Sequence, residues 1–121
     1  MEGKHAVVAL GALAHEGRLS VFRMLVQAGG AGLAAGEIAR RLGVPASSLS
    51  ANLNVLSNAG LIDGRRESRS IIYTAAYPRM AELLGFLMED CCQGSAEVCG
   101  PLVDIVNRAA CCGAELEAAR A

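Results

Sequence analysis

Apolar residues recur along this chain with a helical period for most of its length and with a period of two in one short stretch near the middle. From Lys4 to Ala14, the residues Val7, Val8, Leu10, Gly11 and Ala14 cover one helical face, and the small ones among them let a neighbouring helix approach closely. A second helix is predicted from Gly17 to Ala28, with Leu19, Phe22, Leu25 and Val26 inward and Gly29-Gly30 supplying the left-handed backbone of a C-cap. Gly29 to Gly36 then reads as a loop. Its glycines have neither a preceding strand nor a following Lys-Ser or Lys-Thr, so they do not make a phosphate-binding loop.

Glu37 to Leu42 gives a short helix with Ile38 and Leu42 four apart, and Gly43 permits a sharp turn after it. Pro45 opens the next helix, whose buried stripe is Leu49, Leu53 and Leu56. This is a helix-turn-helix pattern, although periodicity alone would suit any helical hairpin. The outer face of the second helix makes the difference. It carries Ser47, Ser48, Ser50, Asn52, Asn54 and Asn58, and no acidic residue lies between Gly43 and Ile62. An ordinary solvated helix would carry Glu and Lys pairs, whereas a helix against phosphates and base edges favours hydroxyls and amides. After Gly60 the period shortens: Leu61 and Ile62 lead a strand, Arg65 to Arg69 form a charged tip, and Ile71-Ile72-Tyr73 returns. A hairpin bearing Arg65, Arg66 and Arg69 beside a helix-turn-helix makes a winged helix whose wing reaches the DNA backbone.

Pro78 starts a last helix, through Asp90, with Met80, Leu83, Leu84, Leu87 and Met88 in one apolar stripe. So wide a stripe at the edge of a small domain predicts a subunit interface, with Val7 and Leu10 of the first helix as its natural complement. The expected architecture is mainly α with a small β-hairpin, a winged helix-turn-helix dimerising through its N- and C-terminal helices. A two-fold homodimer would present two recognition helices to successive major-groove faces of double-stranded operator DNA.

Composition agrees with one aliphatic, helical core: 121 residues, 53% hydrophobic, 3% aromatic and no Trp. No uncharged run is both long and apolar enough to span a bilayer, so no membrane is expected. The start, Lys4 followed by apolar Ala6 to Leu13, mimics a secretory leader, but Glu2 spoils its basic region and the run is short, so the chain is expected to be cytoplasmic. Charge divides unevenly. Residues 1–80 carry nine Lys/Arg and five Asp/Glu, while residues 81–121 carry two and seven. The basic part suits a polyanion, and the acidic part holds all five cysteines. This divides the chain into 1–90, for DNA binding and dimerisation, and 91–121, a cysteine-rich segment.

Cys91, Cys92, Cys99, Cys111 and Cys112 contain no C-x-x-C pair, and both histidines, His5 and His15, lie far away in sequence. That spacing argues against tetrahedral zinc. A thiolate-only donor set selects soft ions, and three thiols suit the pyramidal coordination of trivalent arsenic or antimony.

Three blocks together resemble the arsenic-repressor branch of the ArsR/SmtB winged-helix family. They are Gly43-Val44-Pro45 to Leu53, then Leu56-Ser57-Asn58-Ala59-Gly60-Leu61-Ile62 leading into Ile71-Ile72-Tyr73, and Leu84-Gly85-Phe86-Leu87 running into Asp90-Cys91-Cys92. The resemblance implies a homodimeric repressor of resistance genes that leaves its operator when arsenite binds. It places the recognition-helix contacts on Ser47, Ser48, Ser50 and Asn52, the wing on Arg65, Arg66 and Arg69, and the arsenite thiols on Cys91, Cys92 and Cys99. Cys111 and Cys112 are further candidate ligands outside it. The family's cysteine pair near the first helix of the helix-turn-helix is absent, since Leu33 to Glu37 stand there, and so are the carboxylates and histidines of its zinc sensors on the last helix. Ala51 replaces a larger side chain common in relatives. Antimonite and methylarsenite are alternative inducers, and a thiol redox switch is an alternative signal on the same DNA-binding frame. A metalloid carrier is the remaining alternative. No Gly-x-Ser-x-Gly and no thiol beside a histidine supports an enzyme.

Overall fold

In the computed structural model, residues 1–88 are described, and they form five helices and a three-stranded sheet. Met1–Phe86 forms one compact unit. The helices are α1 (Gly3–Leu13), α2 (Glu16–Ala28), α3 (Ala35–Leu42), α4 (Ala46–Asn58) and α5 (Tyr77–Met88). The strands are β1 (Leu33–Ala34), β2 (Ile62–Glu67) and β3 (Ser70–Ala75), antiparallel in the order β1-β3-β2. The mainly helical winged helix-turn-helix expected from periodicity is what forms, with one more strand than expected.

The buried face of α1 is Ala6, Ala9 and Ala12, which lets α1 pack closely on α2 and α4. Val7, Val8 and Leu10 point away and are exposed. The larger residues of that helix therefore lie opposite the face that the protomer buries. In α2 the inward set is Val21, Phe22 and Leu25, whereas Leu19 is exposed and Val26 half-buried. Two apolar stripes are available on α2, and packing against β3 and α4 selects the one centred on Val21 and Leu25.

The corner between α1 and α2 is closed from both sides. His15 caps α2 with Nδ1, which accepts from the amides of Gly17 at 3.1 Å and Arg18 at 3.3 Å. Arg18 in turn donates from Nε to the carbonyl of Ala12 at 2.6 Å and from Nη2 to that of Gly11 at 3.3 Å, satisfying the end of α1.

The stretch expected as a loop contains a 3₁₀ turn (Gly29–Ala31) and then β1, where Leu33 pairs with Tyr73 and Ala34 with Ile72. A strand of two residues is too short for any alternation to register in the sequence. Gly32 makes it feasible. Its φ of +68° is open to glycine, and a Cβ there would run into the Tyr73 carbonyl. The helix α3 begins at Ala35, two residues before the expected start. Behind the sheet and helices, Leu25, Ile38, Leu49, Leu56 and Leu61 are completely or almost completely buried, and each contributes about 1.5–3 kcal/mol by leaving water.

Candidate nucleic-acid interface

Between α3 and α4 the chain turns at Gly43, which adopts the left-handed conformation at φ +66° and donates its amide to the Ala39 carbonyl at 2.8 Å. Pro45 is the N-cap of α4, so that helix starts one residue later than expected. Leu49, Leu53 and Leu56 hold α4 against the core, each at most 2% exposed. The opposite face is thereby fixed in orientation. Ser47, Ser48, Ser50 and Asn54 on it are exposed. Asn52 stands on the flank of the buried stripe, half-buried, with its side-chain amide against Gly17 at the start of α2. Pro45 offers no side-chain cap, and the first intrahelical bond runs from Leu49 to the Pro45 carbonyl. The amides of Ala46, Ser47 and Ser48 thus lack carbonyl partners inside the helix, and no acidic side chain occupies its first turn. Such an end favours an anion.

The wing is longer and narrower-tipped than the sequence implied. Arg65 pairs with Ile72, Arg66 with Ile71 and Glu67 with Ser70, so Arg65 and Arg66 are strand residues and the turn is Ser68-Arg69. Ser68 takes a positive φ of 55° there. Alternation sends Arg65 and Arg66 to opposite faces of the ribbon. Arg65 is not free. It donates to Glu67 at 2.9 Å and to the carbonyls of Gly30 and Ala31 at 3.3 and 3.2 Å, tying the wing to the turn after α2. Arg66 and Arg69 are exposed and bonded to no side chain among the described residues.

On α3, Glu37 accepts from Arg40 through both carboxylate oxygens and from Arg41 Nε at 2.7 Å. These bonds, that to Arg40 first, pull the Glu37 carboxyl from its ordinary 4.5 to about 2, and the same pair raises Arg40. Sequence reasoning missed this cluster. The signal for it was the i, i+3 and i+4 spacing of Glu37 with Arg40 and Arg41, which is that of a helical ion-pair set.

The expected interface residues separate into two groups. Leu83 is 4% exposed and belongs to the protomer's own core, which corrects its assignment to a subunit contact. Met80 is half-buried against the same core, as is Phe86, whose ring meets Gly3 at the start of α1. Val7 at 69%, Leu10 at 40%, Leu84 at 43% and Leu87 at 49% remain exposed, and Met88 is half-buried. Periodicity placed all of these on apolar faces but could not say which ones the protomer itself would cover.

Cys91, Cys92, Cys99, Cys111 and Cys112 lie outside the described residues. Among the described residues no group of three His, Cys, Asp or Glu could hold a metal ion, and no helix is long and apolar enough to cross a membrane.

Residues 13–65 match the helix-turn-helix domain family. The chain is 33% identical over 90 residues to the transcriptional activator HlyU of Vibrio cholerae, covering 74% of this chain and 81% of that protein. The solved structure of HlyU superposes with a TM-score of 0.57 at 37% identity, covering 72% of this chain and 97% of that one, and HlyU has also been solved in a reduced form. An ArsR-like transcriptional regulator from Rhodococcus gives a TM-score of 0.63 at 25% identity, over 88% of this chain and 93% of that one. The homodimeric winged helix-turn-helix DNA-binding domain Mb0332 from Mycobacterium bovis gives 0.58 at 29% identity, over 72% and 81%.

Proposed function

We infer the function from one premise: the chain belongs to the family of winged helix-turn-helix transcriptional regulators that includes HlyU. It acts as a homodimer on double-stranded operator DNA, with α4 in the major groove. The observation that carries this is the outward face of α4, where Ser47, Ser48, Ser50 and Asn54 stand exposed without a carboxylate beside an uncapped helix start. Hydroxyls and amides there read base edges, the free amides take a phosphate, and Arg66 and Arg69 of the wing add backbone contacts. Dimerisation uses the exposed Val7 and Leu10 of α1 with Leu84 and Leu87 of α5. The homodimeric state of Mb0332 supports dimerisation.

The signal we propose is trivalent arsenic, with antimonite as a second inducer, bound by Cys91, Cys92 and Cys99. Each thiol loses its proton as an arsenic–sulfur bond replaces an arsenic–oxygen bond, so three thiols and arsenous acid give one trithiolate centre and three waters. Three thiols with no histidine nearby in sequence form a donor set suited to such a soft centre. The chain then acts as a repressor: metalloid binding just beyond α5 shifts the protein away from its DNA-binding geometry by the difference in ligand affinity between the two states, ordinarily about 1–3 kcal/mol.

The test is an anisotropy titration of arsenite, with reductant present, into the protein on a labelled DNA fragment from upstream of its own gene. Release by arsenite that Cys91→Ser and Cys92→Ser abolish is expected. Failure to bind any DNA would overturn the regulator reading, and binding that arsenite leaves intact would overturn the metalloid reading alone. HlyU solved in a reduced form favours one second reading, in which oxidation of the thiols is the signal. Peroxide without metalloid would then release the DNA.

A further inference from the structure

Glu37 is the single carboxylate between Gly17 and Ile62, a stretch that also contains Arg18, Arg23, Arg40 and Arg41. It does not face solvent alone: its two oxygens hold both arginines of α3. Arg40 uses its Nε and Nη2 edge and Arg41 its Nε, so both guanidinium groups keep unused N–H donors. Arg40 and Arg41 retain 71% and 47% side-chain exposure, and Glu37 32%. The cluster therefore presents outward donors from two cations, with one carboxylate offsetting one of the two positive charges. It sits on the first helix of the helix-turn-helix, the element that in such motifs crosses the DNA backbone.

We propose that Glu37, Arg40 and Arg41 form a phosphate-contact site on α3, and that Glu37 limits its strength so that non-specific DNA is held less tightly. The inference rests on the DNA-binding reading above. Glu37 touches no base and acts through the two arginines, so it is a positioning residue. A purely structural role is also natural for it, because an acid in the first turn and bases in the last complement the helix dipole. The two roles differ in what they do to counterion release. A structural pair changes stability and leaves the salt dependence of DNA binding alone; a phosphate site changes the slope of log K against log salt by about 0.9 for each phosphate that it neutralises.

The experiment measures binding of the full chain to its upstream DNA and to a scrambled duplex, by anisotropy from about 50 to 200 mM salt. Glu37→Gln is expected to steepen the slope by about one unit, which raises the loss of affinity across that range by about threefold to fourfold. The rise in affinity should be larger on the scrambled duplex, so the specificity ratio falls. Glu37→Gln combined with Arg40→Gln restores the cluster charge and should restore the wild-type slope. Arg40→Gln alone leaves Glu37 and Arg41 paired and should flatten the slope, which provides the test if Glu37→Gln does not fold. Unchanged slopes in variants that melt as folded proteins would overturn the proposal while leaving the DNA-binding reading standing. Absence of salt-dependent DNA binding by the wild-type protein would overturn both.

Discussion

Gly32→Ala should damage this fold out of proportion to its one added carbon. Gly32 has φ +68° and ψ −173°, a region of backbone space that side chains other than glycine essentially avoid, at a cost of roughly 1–3 kcal/mol. The added Cβ would also collide with the backbone carbonyl of Tyr73 and with the methyl groups of Thr74 and Ile72, and a carbonyl held in a β ladder cannot rotate aside. Overpacking of that kind costs about 1–3 kcal/mol more, which puts the loss at roughly 2–6 kcal/mol. For a domain of this size, even the lower figure lowers the melting temperature by about 8 °C or more. The assay is thermal unfolding followed by far-UV circular dichroism, with Gly30→Ala as the control. Gly30 has no positive φ and nothing within 4 Å of its would-be Cβ, so that variant should melt within about 2 °C of wild type. If Gly32→Ala also melted there, β1 would not be paired with β3 at this register in solution.

Other perturbations separate the roles of individual side chains. Leu53→Ala, at a position 2% exposed, should cost about 2–5 kcal/mol in a denaturant melt; a cost below about 1 kcal/mol would mean that α4 is not seated on the core. Arg66→Gln and Arg69→Gln should each reduce the salt slope of DNA binding by about one, with equal loss on all sequences, whereas a loss confined to one sequence would assign them to base readout. Glu37 holds its proton less readily when folded than when unfolded, so its stabilisation is complete above its ordinary value of 4.5 and is lost as pH falls toward about 2. Melting temperature should therefore fall more steeply over that window in wild type than in Glu37→Gln, and parallel curves would contradict the hydrogen-bonded cluster. Val7→Glu, at 69% exposure, should leave the protomer folded and convert dimer to monomer in sedimentation velocity; an unchanged sedimentation coefficient would exclude α1 from the interface.

The helix order, the turn at Gly43 and the three inward leucines of α4 were legible in the sequence because each depends on local chemistry: a period, a glycine, a proline. What the sequence hid depended on partners distant along the chain. On α1, the apolar face read from the sequence ran through Val7, Leu10 and Ala14, and the closeness of α2 and α4 instead buried Ala6, Ala9 and Ala12. Leu83 and Leu84 are neighbours in one apolar stripe, yet the protomer buries the first and leaves the second exposed. The strand Leu33–Ala34 exists because β3 lies alongside it, and nothing in two residues announces that. Arg65, Arg66 and Arg69 read as three equivalent wing cations until the strand register sent Arg65 to the side that faces the carbonyls of Gly30 and Ala31.

That last distinction changes how the basic character of residues 1–80 bears on DNA. Arg18 is engaged with the carbonyls of Gly11 and Ala12, Arg65 with the turn after α2 and with Glu67, and Arg79 faces Glu82 at 3.5 Å. Arg40 and Arg41 share one carboxylate. Several cations of the sequence thus brace the fold or are partly neutralised, and those without a side-chain partner among the described residues include Arg66 and Arg69 at the wing. A protein with few free phosphate contacts binds random DNA weakly, because each contact contributes its own increment of counterion release. On the proposed DNA-binding reading, selectivity then depends on the uncharged groups of α4, whose hydrogen bonds would discriminate between base edges without adding to affinity for every sequence. A moderate electrostatic hold also makes release easier. A coupling of about 1–3 kcal/mol between inducer and DNA changes affinity by about 5- to 150-fold, enough to empty an operator only when the hold is not excessive to begin with.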